Sequence, residues 1–166
     1  MIFFQNTPPC PIVGDLAPDV TFHRPDGSAL RLSQLRCQVV VLEFTSSHCP
    51  PCKVLAPKLE EFARKHNDVQ FLVISTDSPA ESANLLALRK KGDPTVFLQD
   101  SYSQVRSKMG VWKFGDVGVP TMFVIGRDGR MASRLMQGDD QLPHLAERIA
   151  WAKTHTFPPS VPHKKQ

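Results

Sequence analysis

The chain has 166 residues, of which 41% are hydrophobic and 22% charged, the length and composition of one globular domain with a core of its own. Its net charge of +4 comes from 20 basic and 16 acidic residues spread along the sequence, which argues for solubility and against a nucleic-acid partner. Four cysteines do not make a disulfide scaffold in so long a chain, and no apolar stretch has the length of a membrane span.

Residues 1–13 form a proline-rich entry segment containing Thr7-Pro8-Pro9-Cys10-Pro11. Met1-Ile2-Phe3-Phe4-Gln5 has no basic flank and too short an apolar run for a signal peptide. The expectation is a soluble, cytoplasmic chain if the sequence is complete, or a periplasmic or cell-envelope one if a leader has been removed. The folded domain is expected over residues 14–154, with a tail over 155–166 that is rich in proline and lysine.

Within that domain, Val20 to His23 and Leu30 to Leu32 flank Pro25-Asp26-Gly27 and read as a β-hairpin. Val39-Val40-Val41-Leu42-Glu43-Phe44 is apolar on both alternating faces except at Glu43, as a central parallel strand would be. A helix is predicted from Pro50 to about Lys65, with Val54, Leu55, Leu59, Phe62 and Ala63 inward and Lys53, Lys58, Glu60, Glu61 and Arg64 largely outward. Pro57 lies inside it and predicts a kink. Val69 to Ile74 is the next strand, giving a right-handed β-α-β crossover. Ala80 to Lys91 reads as a helix closed by Gly92, Pro94 to Leu98 as a short strand, and Ser101 to Met109 as a short helix. Met122 to Ile125 and Arg130 to Met136 form a last hairpin around Arg127-Asp128-Gly129, and Gln141 to Thr154 the closing helix. A β-α-β half followed by a β-β-α half predicts an α/β fold with a central mixed sheet and helices on both faces.

The chemistry concentrates at Cys49-Pro50-Pro51-Cys52, between the central strand and the first helix. Prolines are suited to the first turn of a helix, so Cys49 is expected at the N-cap and Cys52 in the first turn. A tightened first turn brings two thiols at this spacing within reach of a disulfide. A Cys49 thiolate accepts hydrogen bonds where an Asp or Ser cap would, and the helix dipole favours it. Pro50 and Pro51 carry no N–H, which leaves the Cys52 amide as its donor. Cys49 is therefore the expected nucleophile and Cys52 the resolving thiol. A structural zinc site requires four ligands, and the chain has neither a second C-x-x-C nor a pair of histidines at finger spacing. Cys10 and Cys37 read as bystanders.

Three further positions stand out. Glu43 interrupts an apolar strand, and an unpartnered buried carboxyl holds its proton, which suits a proton acceptor for Cys52; the other reading is a strand-end glutamate reaching solvent or a lysine. Pro120, in Gly118-Val119-Pro120-Thr121, belongs at the first position of a strand, in a cis or an ordinary trans bond. His48 either favours the Cys49 thiolate as an imidazolium or is a solvent-facing loop residue. Tyr102, Trp112 and Phe114 read as core packing rather than as a substrate groove.

These marks together resemble the thioredoxin superfamily. More narrowly, Gly14-Asp15-Leu16-Ala17-Pro18-Asp19, the N-terminal hairpin, the Pro-Pro dipeptide and an insert from about Ser78 to Lys108 are similar to the TlpA-like, redoxin-type thiol-disulfide oxidoreductases. The resemblance covers Gly14 to about Lys153. It implies a thioredoxin-like fold with an insert in the central crossover, a cis Pro120 opposite the cysteines, and a buried acid at Glu43. It also implies action on protein disulfides or dithiols by a monomer without a cofactor, working with a redox partner protein. The backbone of Val119 would pair with the substrate strand beside Pro120, and His48, Pro50 and Pro51 would border the same groove. Thr45 and His48 depart from the pattern, since relatives commonly carry tryptophans there. Two rivals share the scaffold. A peroxiredoxin-like peroxide reductase would use Ser46 as its hydroxyl, although Leu42 stands where that pattern has proline. A soft-metal module would use Cys49, Cys52 and a histidine.

Overall fold

In the computed structural model, residues 14–100, 105, 108–109, 112–113, 116–136 and 139–156 are described. The entry segment with Cys10, the tail beyond Thr156, Tyr102, Phe114 and most of the predicted helix at 101–109 lie outside the described residues, as does the side chain of Trp112.

Seven strands form one sheet in the order β2-β1-β5-β4-β3-β8-β9. The hairpin of β1 (Thr21–His23) and β2 (Ala29–Arg31) stands at one edge, its turn closed by Gly27 at φ +86°, where only glycine is unstrained. At the centre, β3 (Val39–Thr45) pairs in parallel with β4 (Val69–Ser75), and β4 with β5 (Val96–Gln99). The other side of β3 pairs antiparallel with β8 (Thr121–Ile125), which turns into β9 (Met131–Met136). Two short strands, β6 (Trp112–Lys113) and β7 (Asp116–Val117), make a separate ribbon. Every residue of β3 is buried, which accounts for its nearly continuous apolar sequence.

The alternation of side chains along β3 divides the core in two. Val39 and Val41 pack with Leu55, Leu59 and Ala63 of α1 (Pro50–Arg64) and with Leu145, Ile149 and Ala152 of α3 (Leu142–Thr154). Val40, Leu42 and Phe44 pack on the opposite face with Phe22, Leu72, Ile74 and Phe123, covered by Val105 and Met109. The mixed sheet and its N-terminal hairpin agree with the sequence reading.

Two predicted features require correction. In α1 the inward positions are Cys52, Leu55, Leu59 and Ala63 together with Glu60, whereas Val54 is 52% exposed. The apolar stripe is thus rotated, and Glu60 is accommodated by its ion pair with Arg64 at 2.6 Å. The second helix, α2, spans Pro79–Ala87 and stops short of the predicted Lys91. There the Arg89 guanidinium donates to the Thr95 carbonyl at 2.5 Å and to its hydroxyl at 2.7 Å, and it pairs with Asp93 at 3.0 Å. The Asp93 carboxylate also accepts from the Thr95 amide. This local network supplies partners that a continued helix would have to supply itself, and it moves the start of β5 from Pro94 to Val96.

Candidate active site

Parallel strands β3 and β4 end in register at Thr45 and Ser75, and the loops leaving such strand ends are where α/β sheets build their sites. The first loop leads to Cys49, whose backbone is extended (φ −110°, ψ 101°) at the N-cap of α1, with prolines at the first helical positions. Cys49 and Cys52 form a disulfide, with Cα atoms 5.2 Å apart. The Cys52 amide donates to the Cys49 sulfur at 3.2 Å, the arrangement that two prolines ahead of Cys52 leave available. Cys49 is 8% exposed and Cys52 2%, while Pro50 and Pro51 face solvent. Cys49 is thus the more exposed of the two. Free Cys37 lies exposed before β3.

Glu43 lies in the middle of the sheet, opposite Val73 on one side and Met122 on the other, and is 4% exposed. Burial pushes its carboxyl up from the ordinary 4.5 to about 8, the nearby charge of Arg89 opposing the shift. A cavity of about 300 Å³ between β3, α1 and α2 is lined by both Glu43 and Cys52, with Glu60, Arg89 and Phe97 among its other walls. The alternative of a glutamate reaching solvent at the strand's end is thereby removed.

Pro120 immediately precedes β8, one residue beyond the Phe44↔Thr121 pair, and so stands at the end of the sheet from which the Cys49 loop departs. The Val119–Pro120 peptide bond is cis. Pro120 is buried and Val119 half-buried, and the Thr121 hydroxyl donates to the Gly118 carbonyl. His48 is exposed, but it is not a free loop residue: its Nε2 meets the Glu81 carboxylate of α2 at 2.8 Å. The hydrogen bond and the charge of Glu81 raise the imidazole above its ordinary value.

Asp77, Glu81 and Arg89, which surround the cysteine loop or its cavity, escaped the sequence reading, and Ser46 entered it only as the hydroxyl of a peroxide reductase. One signal was available: Ser78-Pro79-Ala80-Glu81 has the form of a capping box, and the structure closes it reciprocally.

A sheet of this order, with a Cys-Pro-Pro-Cys disulfide at the start of the helix after β3, defines a redoxin-type protein of the thioredoxin superfamily. The chain belongs to the AhpC/TSA family, whose model matches residues 13–134. Thioredoxin H8 of Arabidopsis thaliana is 52% identical over 40 residues, 24% of this chain, so the chain spans about a quarter (27%) of that relative's length. Thioredoxin-1 of Schizosaccharomyces pombe is 27% identical over 85 residues, covering 51% of this chain and 81% of the relative. A crystal structure assigned as the thiol:disulfide interchange protein DsbE of Chlorobium tepidum superposes with a TM-score of 0.75 at 25% identity, covering 86% of this chain and 98% of that one.

Proposed function

We propose that this chain is a thiol-disulfide oxidoreductase that exchanges disulfides with protein substrates and is recharged by a redox partner protein. The observation that carries the reading is the Cys49–Cys52 disulfide at the N-terminus of α1, with the Cys52 amide directed at the Cys49 sulfur. Starting from the reduced pair, the Cys49 thiolate attacks one sulfur of a substrate disulfide. A mixed disulfide forms and the first substrate thiolate leaves. Cys52 gives its proton to the Glu43 carboxylate and attacks the Cys49 sulfur, releasing the second substrate thiolate and closing the Cys49–Cys52 bond. The balance is one disulfide reduced and one formed, with two electrons transferred.

Glu43 suits this role because its carboxyl, raised to about 8, lies near the usual thiol value of about 8.5, where proton transfer between the two groups is close to balanced. Val119 and Pro120 lie at the sheet end beside the cysteine loop, and the backbone of Val119 would receive an extended substrate segment as an added strand. His48 and the first two residues of α1, Pro50 and Pro51, are exposed and would border that segment. In the oxidising direction the same steps run in reverse. About 30 mV separates equilibria by 1.4 kcal/mol, so the surroundings of the two sulfurs decide the direction. The working unit is proposed to be a monomer.

The test is substrate trapping with Cys52→Ser. Mixed disulfides attached at Cys49 are the expected result, identified by mass spectrometry of the adducts; no adducts, or adducts at other cysteines, would overturn the reading. Membership of the AhpC/TSA family favours one second reading, a peroxide reductase. Catalytic consumption of peroxide without thiol-disulfide exchange would establish that reading instead.

A further inference from the structure

The two loops at the shared end of β3 and β4 are joined by an acid that the disulfide chemistry above does not use. Thr76, just beyond β4, donates from both its amide and its hydroxyl to the Thr45 carbonyl. Asp77 follows and is 9% exposed. One oxygen of its carboxylate accepts from the Ser46 hydroxyl at 2.6 Å, and the other from the Ser47 amide at 2.6 Å. The Ser46 oxygen in turn accepts from the His48 amide at 3.2 Å, and the Ser46 carbonyl accepts from the Cys49 amide at 3.3 Å. Asp77 is itself held from behind, because its amide donates to Ser75 Oγ, which also accepts from the Ser82 hydroxyl of α2. A continuous polar network thus runs from α2 through Asp77 to each of the three residues preceding Cys49.

We propose that Asp77 is a positioning residue for Cys49: anchored at the end of β4, its carboxylate fixes the 46–48 turn, keeps the Cys49 sulfur in place opposite Cys52, and so favours the closed disulfide over the dithiol. The inference rests on the thiol-disulfide exchange proposed above. Its physical basis is that closure within a C-x-x-C pair is intramolecular, so its equilibrium rises with the effective concentration of one thiol at the other. A turn whose short, charge-assisted hydrogen bonds are lost samples more arrangements, and that effective concentration falls. With glutathione the exchange balances as protein disulfide plus two glutathione thiols giving protein dithiol plus one glutathione disulfide.

The experiment measures that equilibrium constant in glutathione buffers for the wild type, Ser46→Ala, Asp77→Ala and the double variant, with circular dichroism on both redox forms to follow folding. Ser46→Ala removes both hydrogen bonds of that hydroxyl, the one to Asp77 and the one from the His48 amide, without changing charge. It is expected to shift the equilibrium toward the dithiol by roughly three- to tenfold, within the range seen for residues sharing a hydrogen-bond network. Asp77→Ala is expected to shift it further in the same direction, and the double variant to do less than the product of the two. A shift in Asp77→Ala with none in Ser46→Ala would mean that charge, not position, is at work, and would overturn the proposal. So would wild-type equilibria in both variants. Failure of the wild-type protein to exchange with glutathione at all would instead defeat the underlying redox reading.

Discussion

Glu43 and Cys52 line one cavity of about 300 Å³, although Glu43 belongs to the centre of the sheet and Cys52 to the first turn of α1. Each is nearly sealed from the surface, at 4% and 2% exposure. A carboxyl in such a place is stable with its proton on and costly without it, because burial removes the water that would solvate the anion. That cost is the physical content of its raised value near 8, and it sets up the first prediction.

The folded state binds a proton at Glu43 up to about pH 8, whereas the unfolded chain releases it near the ordinary 4.5. Between those values the native state holds more protons than the unfolded one, so stability falls as pH rises across that window and levels off above it. Each unit of separation is worth about 1.4 kcal/mol, making the loss a few kcal/mol in all. Glu43→Gln removes this dependence. Urea unfolding is expected to show the variant gaining on the wild type from pH 5 to pH 9. Resolution of the mixed disulfide by Cys52, followed by stopped flow, is expected to slow by about a hundredfold, the scale of a lost general base.

His48 and Glu81 provide a second pH dependence of the same sign. The hydrogen bond and charge of Glu81 raise the imidazole, so the contact contributes fully below the ordinary value of 6.5 and is lost as pH rises through the folded value. Glu81 is itself held down to about 2, first by the Ser78 hydroxyl and then by His48, so it stays ionised throughout that range. Glu81→Gln preserves a carbonyl acceptor for the capping box while removing the charge. An NMR titration of the His48 ring is expected to move down toward 6.5. An unchanged titration would mean that the 2.8 Å contact does not govern the imidazole.

Arg89 holds the end of α2 against the start of β5 through Asp93 and Thr95, and its charge lowers Glu43 from across the cavity. Arg89→Met keeps the length of the side chain and removes both contributions. Leaving the Asp93 carboxylate, 9% exposed, without its cation is expected to cost about 1–3 kcal/mol in urea unfolding. Glu43 in the variant is expected to titrate higher than in the wild type, read from the carboxyl resonance of the reduced protein.

Local signals made much of the site legible in advance. The apolar run of β3, the prolines after Cys49 and the two-residue spacing of the thiols depend on neighbours in the chain, and they placed Cys49 at the N-cap and Cys52 in the first turn as the structure has them. The same kind of signal misplaced Val54 and Glu60. Helical periodicity finds an apolar stripe but does not reveal which neighbouring element covers its edge, and here the flank of α1 carrying Glu60 faces the cavity beside α2.

The sequence by itself determined the fold class and the placement of Cys49 at the N-cap and Cys52 in the first turn of α1, because strand and helix periods and the missing N–H of proline act within a few residues. Tertiary structure alone decided that Glu43 is buried beside Cys52, that His48 belongs to Glu81, and that Asp77 grips the loop ahead of Cys49. The last two contacts join residues 33 and 31 positions apart. They exist because parallel strands β3 and β4 end in register, bringing together two loops that no local pattern connects.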